Sequence, residues 1–241
     1  MGEGVIAHET VHQWFGDSVT PSEWSHIWVS EGFATYFGAV YLEARDGGGA
    51  LRQAMERGRQ AVIGSDASNR PVVDERPDLF GLLNTNSYPK GGWILHMLRT
   101  LIGDDAFLSA IRGYYADHTN GVADTEDVRR AMEQASGRDL TWFFEQWAYS
   151  PGFPRLATAV TTDGTETVIT VNQVQAEDWP TFQGAWLDID VTWASGDVER
   201  HGLWLTSRTD ELRVPTRGVV QSISLDPDVK LLMAVAEDAP K

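Results

Sequence analysis

The 241-residue chain sets 35 acidic against 19 basic side chains, a net charge of −16 and a pI near 4.6. That balance disfavours nucleic acid and anionic membrane surfaces, both of which draw basic proteins. The absence of cysteine excludes disulfides, thiol catalysis and thiolate metal ligands, while ten Trp, nine Phe and six Tyr supply a packed core.

The acid excess is no tail: residues 1–150 carry net −9 and residues 151–241 net −7, the spread of a solvated surface. No apolar run is long enough to span a membrane. The length allows one large domain or two modest ones. The first 150 residues read as mostly helical. Apolar periodicity runs over 5–15 and again over 25–45, where Asp46 and three glycines stop it; a third helix spans 50–63. Residues 64–86, rich in Gly, Pro, Asp and Asn, read as a long loop of the kind that carries function. Helical patterning resumes over 90–101 and 104–115. Asp124 or Thr125 is expected to cap a helix ending near Gly137. Asp139 is expected to cap another that holds Trp142, Phe143 and Trp147 and stops at Ser150-Pro151-Gly152. Strand patterns follow over 165–175, 187–193, 203–206, 212–214 and 219–225. The expected architecture is therefore α+β. A mostly helical domain, 1–152, precedes a small antiparallel β-sandwich, 153–241.

His8-Glu9-Thr10-Val11-His12 lies inside the first helical pattern. Residues four apart share a helix face, so both imidazoles can reach one ion, while Glu9 points elsewhere and can serve a water molecule. A catalytic zinc commonly takes three protein ligands and keeps one open position. Glu31 is the leading third ligand. It sits in an apolar, aromatic helical stretch, where an unpaired carboxylate is costly and a metal would satisfy it.

At these residues the sequence resembles a known family. His8–Phe15 reads HETVHQWF and residues 28–37 read WVSEGFATYF. This pattern is similar to the M1 family of gluzincin zinc aminopeptidases. Ser87-Tyr88-Pro89-Lys90-Gly91-Gly92 resembles that family's Y-x-K-G segment. Residues 137–147 resemble the end of its catalytic domain, and Ser224-Leu225-Asp226-Pro227 resembles part of its β-sandwich domain. The resemblance implies a thermolysin-like helical catalytic subdomain with Zn2+ on His8, His12 and Glu31. It also implies Glu9 as general base toward the attacking water, and Tyr88 as hydrogen-bond donor to the oxyanion. Peptides would then be cut at their N-termini.

Ser30 departs from the Asn usual before the ligand Glu. The family's G-x-M-E-N segment, which holds the substrate's free amine, is not found before the zinc motif. The chain therefore reads as part of a larger enzyme: the second half of a catalytic domain plus the sandwich. Two functions are weighed. The first is a zinc metallopeptidase acting on peptide substrates. The second is a zinc-binding scaffold or interaction module without turnover, in which surfaces that meet the family's other domains drive self-association. The composition suits a soluble protein, cytoplasmic or secreted. His26, His96, His118 and His201 have no partner spacing and are expected to be structural or surface residues. Thr35 is expected to be an ordinary helix-face residue, and Lys90 carries no assigned chemistry.

Overall fold

The computed structural model describes residues 2–76 and 78–236. Met1, Pro77 and residues 237–241 lie outside the described residues, and with them the outermost ends of both expected domains and one position of the expected 64–86 loop. The chain divides into two compact units, Met1–Gly152 and Phe153–Lys241.

The first unit opens with α1 (Glu3–Val11), which buries no residue and leaves Val5 and Ile6 exposed. The periodicity predicts a helix to residue 15, but the helix ends at Val11: the Gln13 and Trp14 amides bond three residues back, to Thr10 and Val11, and Gly16 then turns the chain at a φ of 127°. His12 keeps helical dihedrals as the cap, so its four-residue offset from His8 survives. Strand β1 (Val19–Pro21) and a 3-10 turn, Trp24–His26, lead into α2 (Trp28–Asp46).

Helix α2 is the hub. It packs against α1, against α3 (Gly48–Ile63), and against α4 (Gly91–Ile102) with the turn before it. Its buried face carries Trp28, Val29, Phe33 and Tyr36, an apolar stripe at helical spacing. Opposite α1, Gly38 presents no side chain: a Cβ there would lie 3.5 Å from the His8 backbone nitrogen, so the two helices meet closely. Of the three glycines expected to stop the helix, only Gly47 does, at a φ of 88°; Gly48 and Gly49 already belong to α3.

The expected loop of 64–86 contains 3-10 turns at Asp66–Asn69 and Phe80–Leu82. Buried Asn86 closes it by donating to the carbonyls of Ala67 and Arg70 at 2.7 and 2.9 Å. Helix α4 follows with Gly91–Leu98 buried throughout, then α5 (Asp104–His118), β2 (Gly121–Ala123), α6 (Thr125–Ser136) and α7 (Thr141–Trp147). β1 and β2 pair in parallel, two three-residue strands a hundred positions apart. Asp139 accepts from the Thr141 amide at 2.9 Å, although Leu140 stands at the cap of α7.

The second unit is all β. Strands β3 (Arg155–Asp163), β4 (Glu166–Gln173), β5 (Ala185–Trp193), β6 (Val198–Leu205), β7 (Thr209–Pro215), β8 (Val220–Leu225) and β9 (Ala234–Val235) form two sheets. Their orders are β7-β4-β3-β9 and β6-β5-β8. Leu187, Ile189, Val191 and Trp193 of β5 are buried alternately with residues of the outer face, as period-two patterning requires. All pairings are antiparallel except β3 with β9, which is parallel. β3 escapes a pattern reading because its second half, from Val160 to Asp163, is exposed on both faces.

Helix α6 begins with a capping box. The Asp124 carboxylate accepts from the amides of Glu126 and Asp127 at 2.8 and 3.0 Å, and Asp127 accepts from the Asp124 amide at 2.9 Å. Asp124→Ala is expected to cost about 1 kcal/mol. That loss lowers Tm by roughly 2–4 °C for a chain of this size, as differential scanning calorimetry would read.

Candidate metal centre

α1 and α2 bring His8, His12 and Glu31 to one point. His8 Nε2 and His12 Nε2 stand 3.2 Å apart, and each lies 3.4 or 3.3 Å from Glu31 Oε2. Adjacent ligands of a tetrahedral zinc with bonds near 2.1 Å stand roughly 3.4 Å apart, so this triangle is the right size for that ion. The donor set, two imidazoles and a carboxylate, is equally suited. Among the described residues this is the one trio of His and acidic groups so arranged.

The His12 ring is held from behind. Its Nδ1 lies 3.0 Å from the Phe15 carbonyl oxygen, an acceptor only, so Nδ1 donates and Nε2 keeps its lone pair for a metal. Ser30 Oγ stands 3.2 Å from the same Nδ1 and 3.3 Å from the same carbonyl, so the residue that replaces the expected Asn still touches the ligand ring. Gly16 is obligatory here: its positive φ aside, a Cβ would lie 2.7 Å from Ser30 Oγ and 3.0 Å from His12 Nδ1.

Burial pushes the Glu31 carboxyl up, but the hydrogen bond with His8, the charge of His12 and the hydrogen bond with Tyr88 outweigh it and hold Glu31 below its ordinary value. Tyr88 arrives from a π-helical turn, Asn86–Lys90, with its ring stacked on His8 at a centroid distance of 6.0 Å. Burial, aided by the Glu31 and Glu9 carboxylates, pushes the phenol up to about 12. Tyr88 therefore stays a protonated donor at neutral pH. Glu9 is exposed on α1 and lines a cleft of about 600 Å³ with His12, Glu31, Gln13 and Trp24.

The model of the "Peptidase family M1 domain" matches residues 2–147. The chain belongs to this family. It is 30% identical to aminopeptidase A of Gloydius brevicauda over 201 residues, 80% of this chain and 21% of that protein. It is also 30% identical to aminopeptidase N of Lactococcus lactis subsp. lactis over 169 residues, 66% of this chain and 20% of that one. The chain thus spans about a fifth of the length of these relatives. In fold it is similar to Legionella pneumophila aminopeptidase A, solved in complex with aspartic acid. That likeness has a TM-score of 0.77 at 21% identity and covers 98% of this chain and 27% of the other.

The remaining histidines of this M1 chain lie apart from the trio. His26 Nδ1 is 2.8 Å from Thr125 Oγ1, His96 Nδ1 is 3.4 Å from the Tyr36 hydroxyl, and His118 and His201 face Asp127 and Glu199. Among the described residues no helix is long and apolar enough to cross a membrane.

Lys90, which the sequence left without a role, closes the π-turn as a fully buried residue whose Nζ finds no hydrogen-bond partner among the described residues. Burial pushes its amine from 10.5 down to about 7. A folded value below the unfolded one means that the penalty of burying the charge is complete below pH 7. It fades as the pH rises toward 10.5. Lys90→Met is therefore expected to raise Tm by several degrees at about pH 6 and by progressively less toward about pH 10, measured by thermal melts across that range.

Proposed function

We propose that this chain carries the zinc-binding part of an M1 aminopeptidase active site, which hydrolyses N-terminal residues from peptides. The observation that carries the reading is the convergence of His8, His12 and Glu31 within one ion's reach, with Glu9 and Tyr88 beside them. Bound zinc would supply Lewis-acid polarisation of the scissile carbonyl and acidify a water molecule.

The chain's own residues supply the rest. Glu9 is exposed in the cleft and takes a proton from the attacking water, then delivers it to the departing amine. The Tyr88 hydroxyl donates to the carbonyl oxygen as it gains negative charge, and its elevated pKa keeps the proton on the phenol throughout. The Phe15 carbonyl and Ser30 hydroxyl hold the His12 ring so that Nε2 faces His8 and Glu31, where it would hold the ion. The cleft beside the trio, about 600 Å³, falls in the size range of small-ligand sites.

Glu9→Gln is expected to keep the zinc and lower kcat by at least a hundredfold on an aminoacyl amide, because Gln accepts no proton. Tyr88→Phe is expected to lower kcat about 10²–10³-fold. His12→Ala is expected to lose the metal by elemental analysis. Full hydrolysis in Glu9→Gln would reject the base assignment. Full metal content in His12→Ala would reject the ligand set. Zinc uptake by the unaltered chain without turnover would instead make it a non-catalytic metal-binding module.

A further inference from the structure

The start of α4, directly after the turn that carries Tyr88, meets the helix that carries Glu31 backbone to backbone. Gly32 directly follows Glu31, and a Cβ there would lie 2.8 Å from both the carbonyl carbon and the Cα of Gly91. Conversely, a Cβ on Gly91 would lie 3.0 Å from Gly32 Cα and 3.3 Å from Trp28 Cβ. One residue on, a Cβ on Gly92 would lie 3.3 Å from the Thr35 methyl carbon, on the helical turn of α2 after Glu31. On the other side, Gly58 of α3 faces Pro89, with a Cβ separation of 3.4 Å. The π-turn is thus held between two helices with no side-chain spacer at Gly32 or Gly58. Its Tyr88 and Lys90 amides are tied to the Asn84 and Thr85 carbonyls at 3.2 and 2.9 Å.

We propose that the Gly32–Gly91–Gly92 contact between α2 and the start of α4 is a positioning device that sets the height of the Tyr88 hydroxyl over Glu31 and His8. The inference rests on the reading of Tyr88 as the oxyanion donor. Glu31 and Tyr88 sit one and three residues from the two glycines in contact, so any spacer between the backbones moves one group relative to the other. Packed interiors transmit such a displacement instead of absorbing it. A misplacement of about 1 Å costs up to 10²-fold in rate. The zinc ligands all lie on α1, its cap and α2, on one side of the contact. A displacement taken up by the turn and α4 therefore leaves their mutual geometry in place.

A graded set of variants in the zinc-loaded chain tests this. Gly32→Ala meets backbone and is the severe case. Gly92→Ala crowds the Thr35 methyl at 3.3 Å and meets the Gly32 oxygen and Tyr36 nitrogen at an ordinary 3.6 Å, and Thr35→Ser removes the methyl. Gly113→Ala, in α5 with no heavy atom within 4 Å of its Cβ, controls for helix propensity. Two readouts are followed: kcat and KM on an aminoacyl p-nitroanilide, and ring–ring nuclear Overhauser contacts between Tyr88 and His8 in labelled protein. Gly92→Ala is expected to lower kcat about tenfold and weaken the Tyr88–His8 contacts, with KM, zinc affinity and Tm unchanged. Thr35→Ser added to it is expected to restore both, and Gly113→Ala to change neither.

A folded Gly92→Ala with undiminished ring contacts and kcat overturns the proposal, as does failure of Thr35→Ser to restore them. A fully active Tyr88→Phe would sink the donor assignment alone, since the ring contacts still report the position of the turn. If the unaltered chain turns over no substrate, the ring contacts decide the positioning claim by themselves.

Discussion

A carboxylate on a buried helix is the constraint from which the site is built. Glu31 lies between Ser30 and Gly32 on α2, whose other neighbours Trp28, Val29 and Phe33 are among the most deeply buried side chains of the chain. Half-buried at the edge of the cleft, the carboxylate is only partly served by water and gains from partners fixed in the fold. Two imidazoles and a phenol provide them, each from an element packed on α2. A shared cation satisfies the same group better than neutral donors do. On the proposed reading, burial favours a metal there as much as the identity of the three side chains does.

The elements that meet there differ in kind. α1 buries nothing of its own and approaches α2 through the bare backbone of Gly38. The π-turn, by contrast, is held on two sides and ends in a fully buried lysine. In the proposed mechanism the exposed helix offers Glu9 to the cleft, where a proton comes and goes with water. The anchored turn presents Tyr88, whose proposed task is to stay in place with its proton. Burial, which raises the Tyr88 phenol, helps that second task and would hinder the first.

Much of this was legible in the sequence, for identifiable reasons. Helices α2 to α6 announce themselves through three- and four-residue periodicity and through stops and caps such as Gly47 and Asp124. The pairing of His8 with His12 is a local fact of helix geometry that survives even though the helix ends at Val11, one residue before His12. Glu31 is visible because a carboxylate in an aromatic helix demands an explanation. Tyr88, beside a proline in a loop, says nothing by itself and is visible only through its resemblance to a family segment. What pattern reading misses is non-local or too short. The parallel pair β1–β2 joins strands of three residues across a hundred positions, and β9 pairs two residues with the start of β3. A half-exposed strand such as β3 has no alternation to detect.

The glycines show why the remaining part could not be read in advance. In sequence Gly16, Gly32, Gly38, Gly91 and Gly92 look alike, and glycine within or beside a helix is ordinarily a weakness. Their value depends on atoms far away in the chain: the Ser30 hydroxyl for Gly16, the His8 backbone for Gly38, and the Gly91 backbone for Gly32. At Gly16 and Gly32 the fold brings a main chain against a side chain or another main chain closer than any Cβ permits, while at Gly38 a Cβ would just reach ordinary contact. The helix propensity given up at these positions is local. The gain is a fixed distance between groups on different elements, and such distances are what a metal centre and its neighbouring acid and donor depend on.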